Sequence, residues 1–266
     1  MTRRAAFSVG LGLVGGLALR SARASTFAVG AERPGIDQSA AALRPATRLD
    51  PPPPSRRWST VSIGPSALGR PIEMWTSAAP AGERRRILVV SGVHGNEVIT
   101  RPLAESIAHA AVPDDVSLSI IASANPDGWA KQSRRNAHGV DLNRNFPWRW
   151  SRSDGGHGPA SAPETRALMD AVVASRADLA VWIHQPLAYV APLHGCPREY
   201  ADAWRAHVGD RRRDGLDQHG GGETWTARVA GIPSMLVEVA TWSASSALIE
   251  AHTRGFQACV DVVRPR

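Results

Sequence analysis

The sequence holds only two cysteines, Cys196 and Cys259, in 266 residues. They are too far apart to form the closely spaced thiolate pair of a zinc-cysteine module, and they offer at most one bridge, so neither that module nor a disulfide-stapled scaffold fits. The two are compatible with one bridge, worth ~4 kcal/mol if unstrained, and equally with two buried thiols. The apolar run near the start, Val9 to Leu19, falls short of the roughly 20 residues a membrane-spanning helix needs. No internal repeat is present, which argues against a solenoid or propeller.

A strong surplus of positive charge is missing too, once the first residues are set aside. Arg3-Arg4 precedes that short apolar run, and Ala22-Arg23-Ala24 supplies the small-x-small pattern of a signal-peptidase site. Residues 1–24 therefore read as a twin-arginine signal peptide. Removing Arg3, Arg4, Arg20 and Arg23 lowers the formal charge from +7 to +3, too little to support a nucleic-acid partner. Residues 25–57, rich in Ala, Arg and Pro and including the run Pro51 to Pro54, read as a disordered linker. A single domain is expected over 58–266, exported and secreted or held in the cell envelope, with no membrane contact after cleavage. The sequence carries no signal for an oligomeric state.

Within that domain, Val61 and Ile63 precede the turn signals Gly64-Pro65 and Gly69-Arg70-Pro71, and Ile72 to Trp75 follow, which predicts a hairpin. Ile87–Val90, Val116–Ala122, Leu179–Ile183 and Met235–Val239 are nearly continuous apolar runs, the pattern of strands covered on both faces. Helical periodicity covers about 97–110, 163–174, 198–208 and 245–263. The second of these is opened by Ser161-Ala162-Pro163-Glu164, which has capping-box spacing. Strands alternating with helices predict an α/β/α sandwich around a mixed, largely parallel sheet.

The residues that carry chemistry lie at the ends of those strands, where α/β sheets collect their sites. His94-Gly95-Asn96-Glu97 follows the first run, and an imidazole and a carboxylate three positions apart suit Zn²⁺ when they meet at a turn. Asn125-Pro126-Asp127-Gly128 ends a strand with a turn, and after it comes a stretch with Arg134, Arg135, Asn136, Asp141, Asn143 and Arg144, whose guanidinium and amide groups form a natural carboxylate pocket. His184-Gln185-Pro186 ends the third run. Glu238 lies inside Leu236-Val237-Glu238-Val239, where a carboxylate is costly unless it faces a polar or metal-bearing cavity.

In this order the pieces resemble the zinc carboxypeptidase (carboxypeptidase A) family over about residues 61–240, and within it the small murein peptide amidases. The match includes Gly139 to Pro147, Ser161 to Arg166, and Ile63-Gly64 with Gly69 to Ile72. The resemblance implies His94, Glu97 and His184 as ligands of one zinc ion, with Asp141 fixing the tautomer of His94. It implies Arg134 as the group that holds the developing oxyanion, Asn143 and Arg144 as carboxylate binders, and Glu238 as general base. Arg135 is adjacent, and only the spacing to Asn136 favours Arg134 in that role. The implied substrate is a muropeptide cut at an amide of γ-D-glutamyl-diaminopimelate type.

The family's active-site tyrosine has no counterpart at a matching distance before Glu238, since the only tyrosines are Tyr189 and Tyr200. Gln218 to Trp225 occupies that stretch, either as the wall of a specificity pocket or as a flexible turn. His138, His157, His194 and His219 read as surface residues. Two other readings remain: a zinc acylamino-acid deacylase of the aspartoacylase and succinylglutamate desuccinylase type, and a non-catalytic wall-binding relative.

Overall fold

The computed structural model describes residues 56–265. The leader read over 1–24 and the linker up to residue 55 lie outside them. Arg56, at the linker's end, donates to the carbonyls of Val112, Pro113 and Val116 at 2.7–3.0 Å.

In chain order the elements are β1 (Trp58–Pro65), β2 (Pro71–Ser77), β3 (Arg85–Val90), α1 (Thr100–Ala108), β4 (Val116–Ile121), α2 (Pro126–Lys131), α3 (Pro163–Ser175), β5 (Leu179–His184), β6 (Tyr189–Pro192), α4 (Arg198–Val208), β7 (Arg211–Arg212), α5 (Gly222–Arg228), β8 (Ser234–Glu238) and α6 (Ser246–Val262). The strands form one eight-stranded sheet in the order β1-β2-β4-β3-β5-β8-β6-β7. Its centre, β4-β3-β5-β8, is parallel, while β1/β2, β2/β4 and β6/β8 are antiparallel. This is the mixed, largely parallel sheet expected from the continuous apolar runs.

Alternation along the central strands divides the core in two. Ile87, Val89, Val181, Ile183, Met235 and Val237 face one way, onto Leu103 and Ile107 of α1, Trp204 of α4 and Phe256 of α6. Leu88, Val90, Ala180, Trp182 and Leu236 face the other way, onto Leu168 and Val172 of α3, Trp225 of α5 and Phe146. With both faces covered, burying a polar residue on any of these strands needs a specific reason. Among the described residues, no helix is long and apolar enough to cross a membrane.

Three local expectations are corrected, and one open alternative is decided. The helix expected from Glu97 starts at Thr100, because Glu97 sits in the preceding turn, its N–H bonded to the His94 carbonyl at 3.2 Å. Asn125 to Gly128, read as a turn, begins α2. Asn125 caps it by accepting from the Gly128 N–H at 2.8 Å, Pro126 opens the first turn, and Asp127 ties it to Leu68 N–H at 2.9 Å and to Arg70. The capping box at Ser161–Glu164 does not form, because both side chains are engaged elsewhere: Ser161 Oγ meets Asn145 Nδ2, and Glu164 accepts from Ala67 N–H and Asn136 Nδ2. Residues 222–228 form α5 rather than a flexible turn. Cys196 and Cys259 are free, buried thiols, and burial pushes Cys196 up to about 12 and Cys259 upward as well.

Candidate metal centre

The C-terminal ends of β3, β5 and β8 converge on one cleft. His184 and Glu238 are register partners on neighbouring parallel strands and share the face occupied by Trp182 and Leu236. Tyr189 of β6 pairs with Glu238 from the other side, so Glu238 stands between an imidazole and a phenol. His94 and Glu97 arrive on the turn after β3. Gly95 makes that turn possible, because a Cβ there would lie 1.9 Å from the carbonyl carbon of Gly128, inside α2.

The side chains of His94, Glu97 and His184 are buried, and their ligand atoms lie within 4.8 Å of one another. His94 Nδ1 is 2.5 Å from Glu97 Oε1 and 3.2 Å from His184 Nδ1, and His184 Nδ1 is 3.1 Å from Glu97 Oε2. Two imidazole nitrogens aim at each other beside a carboxylate, an arrangement that one bound cation would satisfy. Apart from that contact with His184, Glu97 Oε2 has no polar partner among the described residues. Two His nitrogens and one carboxylate form the donor set of an open catalytic zinc site, so the residues fit the ion. Burial drives Glu97 upward, but the two imidazoles outweigh it and hold the carboxyl at about 2. For His184, burial favours the neutral ring, but Glu97 outweighs it and raises the ring to about 9. The centre of this site therefore favours a cation.

Asp141 backs the donor set from behind. Its Oδ1 lies 3.1 Å from His94 Nε2 and accepts from Asn143 N–H at 3.0 Å, while Oδ2 accepts from Arg134 Nε at 2.9 Å. Burial works against this charge, yet the bond to His94 and the charges of His94, Arg134 and Arg144 hold the carboxyl well below the usual range. The same contact aims Arg134 into the cleft, its guanidinium 3.3 Å from His94 Nδ1. Arg135 points elsewhere, bonded to the Gly139 carbonyl at 2.9 Å and paired with Asp154.

Asn143 and Arg144 line the cleft. Asn143 Oδ1 accepts from Gly222 N–H at 2.8 Å, which fixes the amide orientation and leaves its Nδ2 donors for another partner. Arg144 is braced through Nη1 on the Asn143 carbonyl at 2.7 Å. Glu238 is raised from its ordinary value by burial, with Glu97 and Glu223 adding and His184 opposing. All eight residues singled out from the sequence thus lie in or directly behind one cleft of about 300 Å³.

Sequence reasoning missed several groups in the same cleft: Gln185, Tyr189, Arg213 and Trp242. Chain distance gives Tyr189 no place near Glu238, but strand pairing brings the two side by side. Burial, then the charge of Glu238, push its phenol up to about 12 against the pull of Arg213. Gln218 and Glu223 of the glycine-rich stretch also line the cleft, which favours the pocket-wall alternative. His138, His157, His194 and His219 are exposed, as expected.

A profile described as zinc carboxypeptidase matches residues 54–198. The chain belongs to the zinc carboxypeptidase family. Zinc is this family's metal, and it suits the donor set above. Murein peptide amidase A of Escherichia coli is 32% identical over 149 residues, 49% of this chain and 61% of that protein. Its Vibrio campbellii counterpart is 29% identical over 147 residues, 48% of this chain and 58% of that protein. The chain thus matches about three fifths of the length of these curated relatives. The crystal structure of a murein-tripeptide amidase from Escherichia coli superposes with a TM-score of 0.62 at 26% identity, covering 84% of this chain and 97% of that one. A carboxypeptidase A from Helicoverpa armigera shares the fold alone, with a TM-score of 0.63, 18% identity, and coverage of 79% of this chain and 70% of that one.

Proposed function

We propose that this member of the family is a zinc-dependent peptidase that hydrolyses an amide next to a free terminal carboxylate in cell-wall peptides of γ-D-glutamyl-diaminopimelate type. The observation that carries the reading is the convergence of His94, Glu97 and His184 at one point beside Glu238. The murein peptide amidases among its relatives support the substrate class.

Zinc held by the three ligands supplies Lewis acidity, which lowers the pKa of water towards 7 and polarises a carbonyl oxygen. The chain's own groups do the rest. Asn143 Nδ2 and the Arg144 guanidinium grip the terminal carboxylate and so set the position of the neighbouring amide. Arg134, fixed by Asp141, donates to the carbonyl oxygen as negative charge builds there. Glu238 takes the proton of the attacking water and returns it to the leaving nitrogen as the C–N bond breaks, and the products are a new carboxylate and a free amine. Its raised pKa brings it closer to the range of a useful base at neutral pH. The Leu187 N–H, 3.4 Å from Glu238 Oε2, steadies the carboxylate without neutralising it.

We propose export by the twin-arginine route on the strength of Arg3-Arg4 and Ala22-Arg23-Ala24, which places the enzyme where muropeptides occur. Cell fractionation of the wild type and an Arg3→Lys/Arg4→Lys double variant tests this, and unchanged export of the variant would contradict it. For the activity, the zinc-loaded protein is incubated with a γ-D-Glu-diaminopimelate tripeptide and with N-acetylaspartate, and products are identified by mass. Cleavage of the first supports the proposal. Turnover of N-acetylaspartate alone would replace it with the deacylase reading, and binding without turnover would favour a wall-binding relative.

A further inference from the structure

The proposed reaction leaves two charged side chains of the cleft unused. Glu223 is fully buried, and neither carboxylate oxygen has a hydrogen-bond partner among the described residues. It lines the same cleft as His184 and Glu238 but stands outside the three-residue donor set. A Cβ at Gly221 would lie 2.7 Å from Glu223 Oε1, so a glycine there keeps room for the carboxylate. An ionised carboxylate taken out of water without a partner is costly, and the cost is relieved when a bound cation completes it.

Arg213 is the complement. Its backbone N–H bonds to the Val190 carbonyl at 3.0 Å, and its guanidinium lies 5.0 Å from the ring centre of Tyr189 in the cleft wall. The preceding Arg212 takes Asp202 and Asp214, and Arg213 has no carboxylate partner among the described residues. A buried carboxyl group without a hydrogen-bond partner and an arginine without an acidic partner therefore line the same cleft as Asn143 and Arg144.

We propose that Glu223 and Arg213 read the side chain of the residue released as the amine, Glu223 taking an ammonium and Arg213 a carboxylate. The site then selects a terminal residue whose side chain itself ends in an amino-acid group, with both charges present. A side chain bearing only an ammonium leaves Arg213 unused. An acidic one is repelled by Glu223, and an apolar one leaves the buried carboxylate bare. This rests on the peptidase reading of the same cleft.

Three substrates share one γ-D-glutamyl amide and one free terminal carboxylate and differ only in the last residue: diaminopimelate, lysine or norleucine. The wild type is expected to favour diaminopimelate over norleucine by about 10²-fold in kcat/KM, and over lysine by about tenfold because Arg213 is exposed. Glu223→Gln is expected to lower the diaminopimelate-to-norleucine ratio about 10²-fold, and Arg213→Gln to bring the diaminopimelate-to-lysine ratio close to one. Calorimetric binding of the three free amino acids to zinc-loaded protein, with thermal transitions as a check on folding, follows the same order without turnover. Ratios that the two variants leave unchanged would overturn the proposal, as would a wild type without preference. If no amide is cleaved yet diaminopimelate binds in a Glu223-dependent manner, the peptidase reading falls and only the recognition of that side chain by Glu223 stands. If cleavage occurs without discrimination, this proposal falls alone, and if nothing is cleaved or bound, both fall.

Discussion

Replacing Asp141 with asparagine probes the link between the metal ligands and the rest of the cleft. The carboxylate serves His94 Nε2 at 3.1 Å, Asn143 N–H at 3.0 Å and Arg134 Nε at 2.9 Å. An amide has one acceptor oxygen and one donor nitrogen. With its oxygen towards His94 and Asn143, its NH₂ meets the Nε–H of Arg134, donor against donor. In the flipped orientation the NH₂ faces His94 Nε2, which forces the ring proton onto Nδ1, the nitrogen aimed at Glu97 and His184. Either orientation loses something: the aim of Arg134 or the correct tautomer of His94. The expected cost is a 10- to 100-fold weaker zinc affinity, about 1.4 to 2.7 kcal/mol. The assay is competition with a chelator of known affinity at neutral pH, alongside kcat and KM on the tripeptide. Zinc affinity within about twofold of wild type together with unchanged kcat would refute both roles given to Asp141.

Other expectations follow from single observations. Glu238→Gln is expected to lower kcat by about 10² to 10⁴ while the zinc content stays that of wild type, and loss of zinc in this variant would move Glu238 into the ligand set. Gly95→Ala forces a methyl group against the Gly128 backbone, and chemical unfolding is expected to show a loss of about 3 kcal/mol. His252, fully buried with Nδ1 accepting from Trp204 Nε1–H at 3.2 Å, is held by burial at about 4. The unfolded chain therefore binds the extra proton first, and this histidine's contribution to stability, complete above about 6.5, is lost as pH falls towards 4. The full shift amounts to about 3 kcal/mol, and urea midpoints across that window are expected to fall less steeply for His252→Gln. A variant profile parallel to wild type would contradict this.

How much the sequence discloses depends on whether a pattern is local. Continuous Val/Ile/Leu runs locate β3, β4, β5 and β8 because strands covered on both faces have no polar face to show. Ser245 marks the start of α6, its hydroxyl accepting from Leu248 N–H at 3.2 Å. Side-chain capping at Ser161–Glu164 fails because partners distant in sequence, Asn145, Ala67 and Asn136, claim both side chains. The helix α5 is hidden behind Gly220-Gly221-Gly222, whose composition signals a loop. His184 and Glu238 are legible because each ends a strand, where a buried polar residue stands out, and His94 and Glu97 because they lie on the turn that follows one. Tyr189 and Arg213 are not, because β6 and β7, the strand just before Arg213, are only four and two residues long, and their places follow from the pairing of β6 with β8 and of β7 with β6. The bare carboxylate of Glu223 shows only in three dimensions, since no sequence pattern reports a missing partner.

The account turns on one ion at one point. Crystals grown with zinc and measured at the zinc absorption edge are expected to show a single strong anomalous peak in the cleft, about 2.0–2.3 Å from His94 Nδ1, His184 Nδ1 and a Glu97 carboxylate oxygen. A cleft without a peak, or a peak whose ligands exclude any of these three residues, would contradict the assignment and the chemistry derived from it.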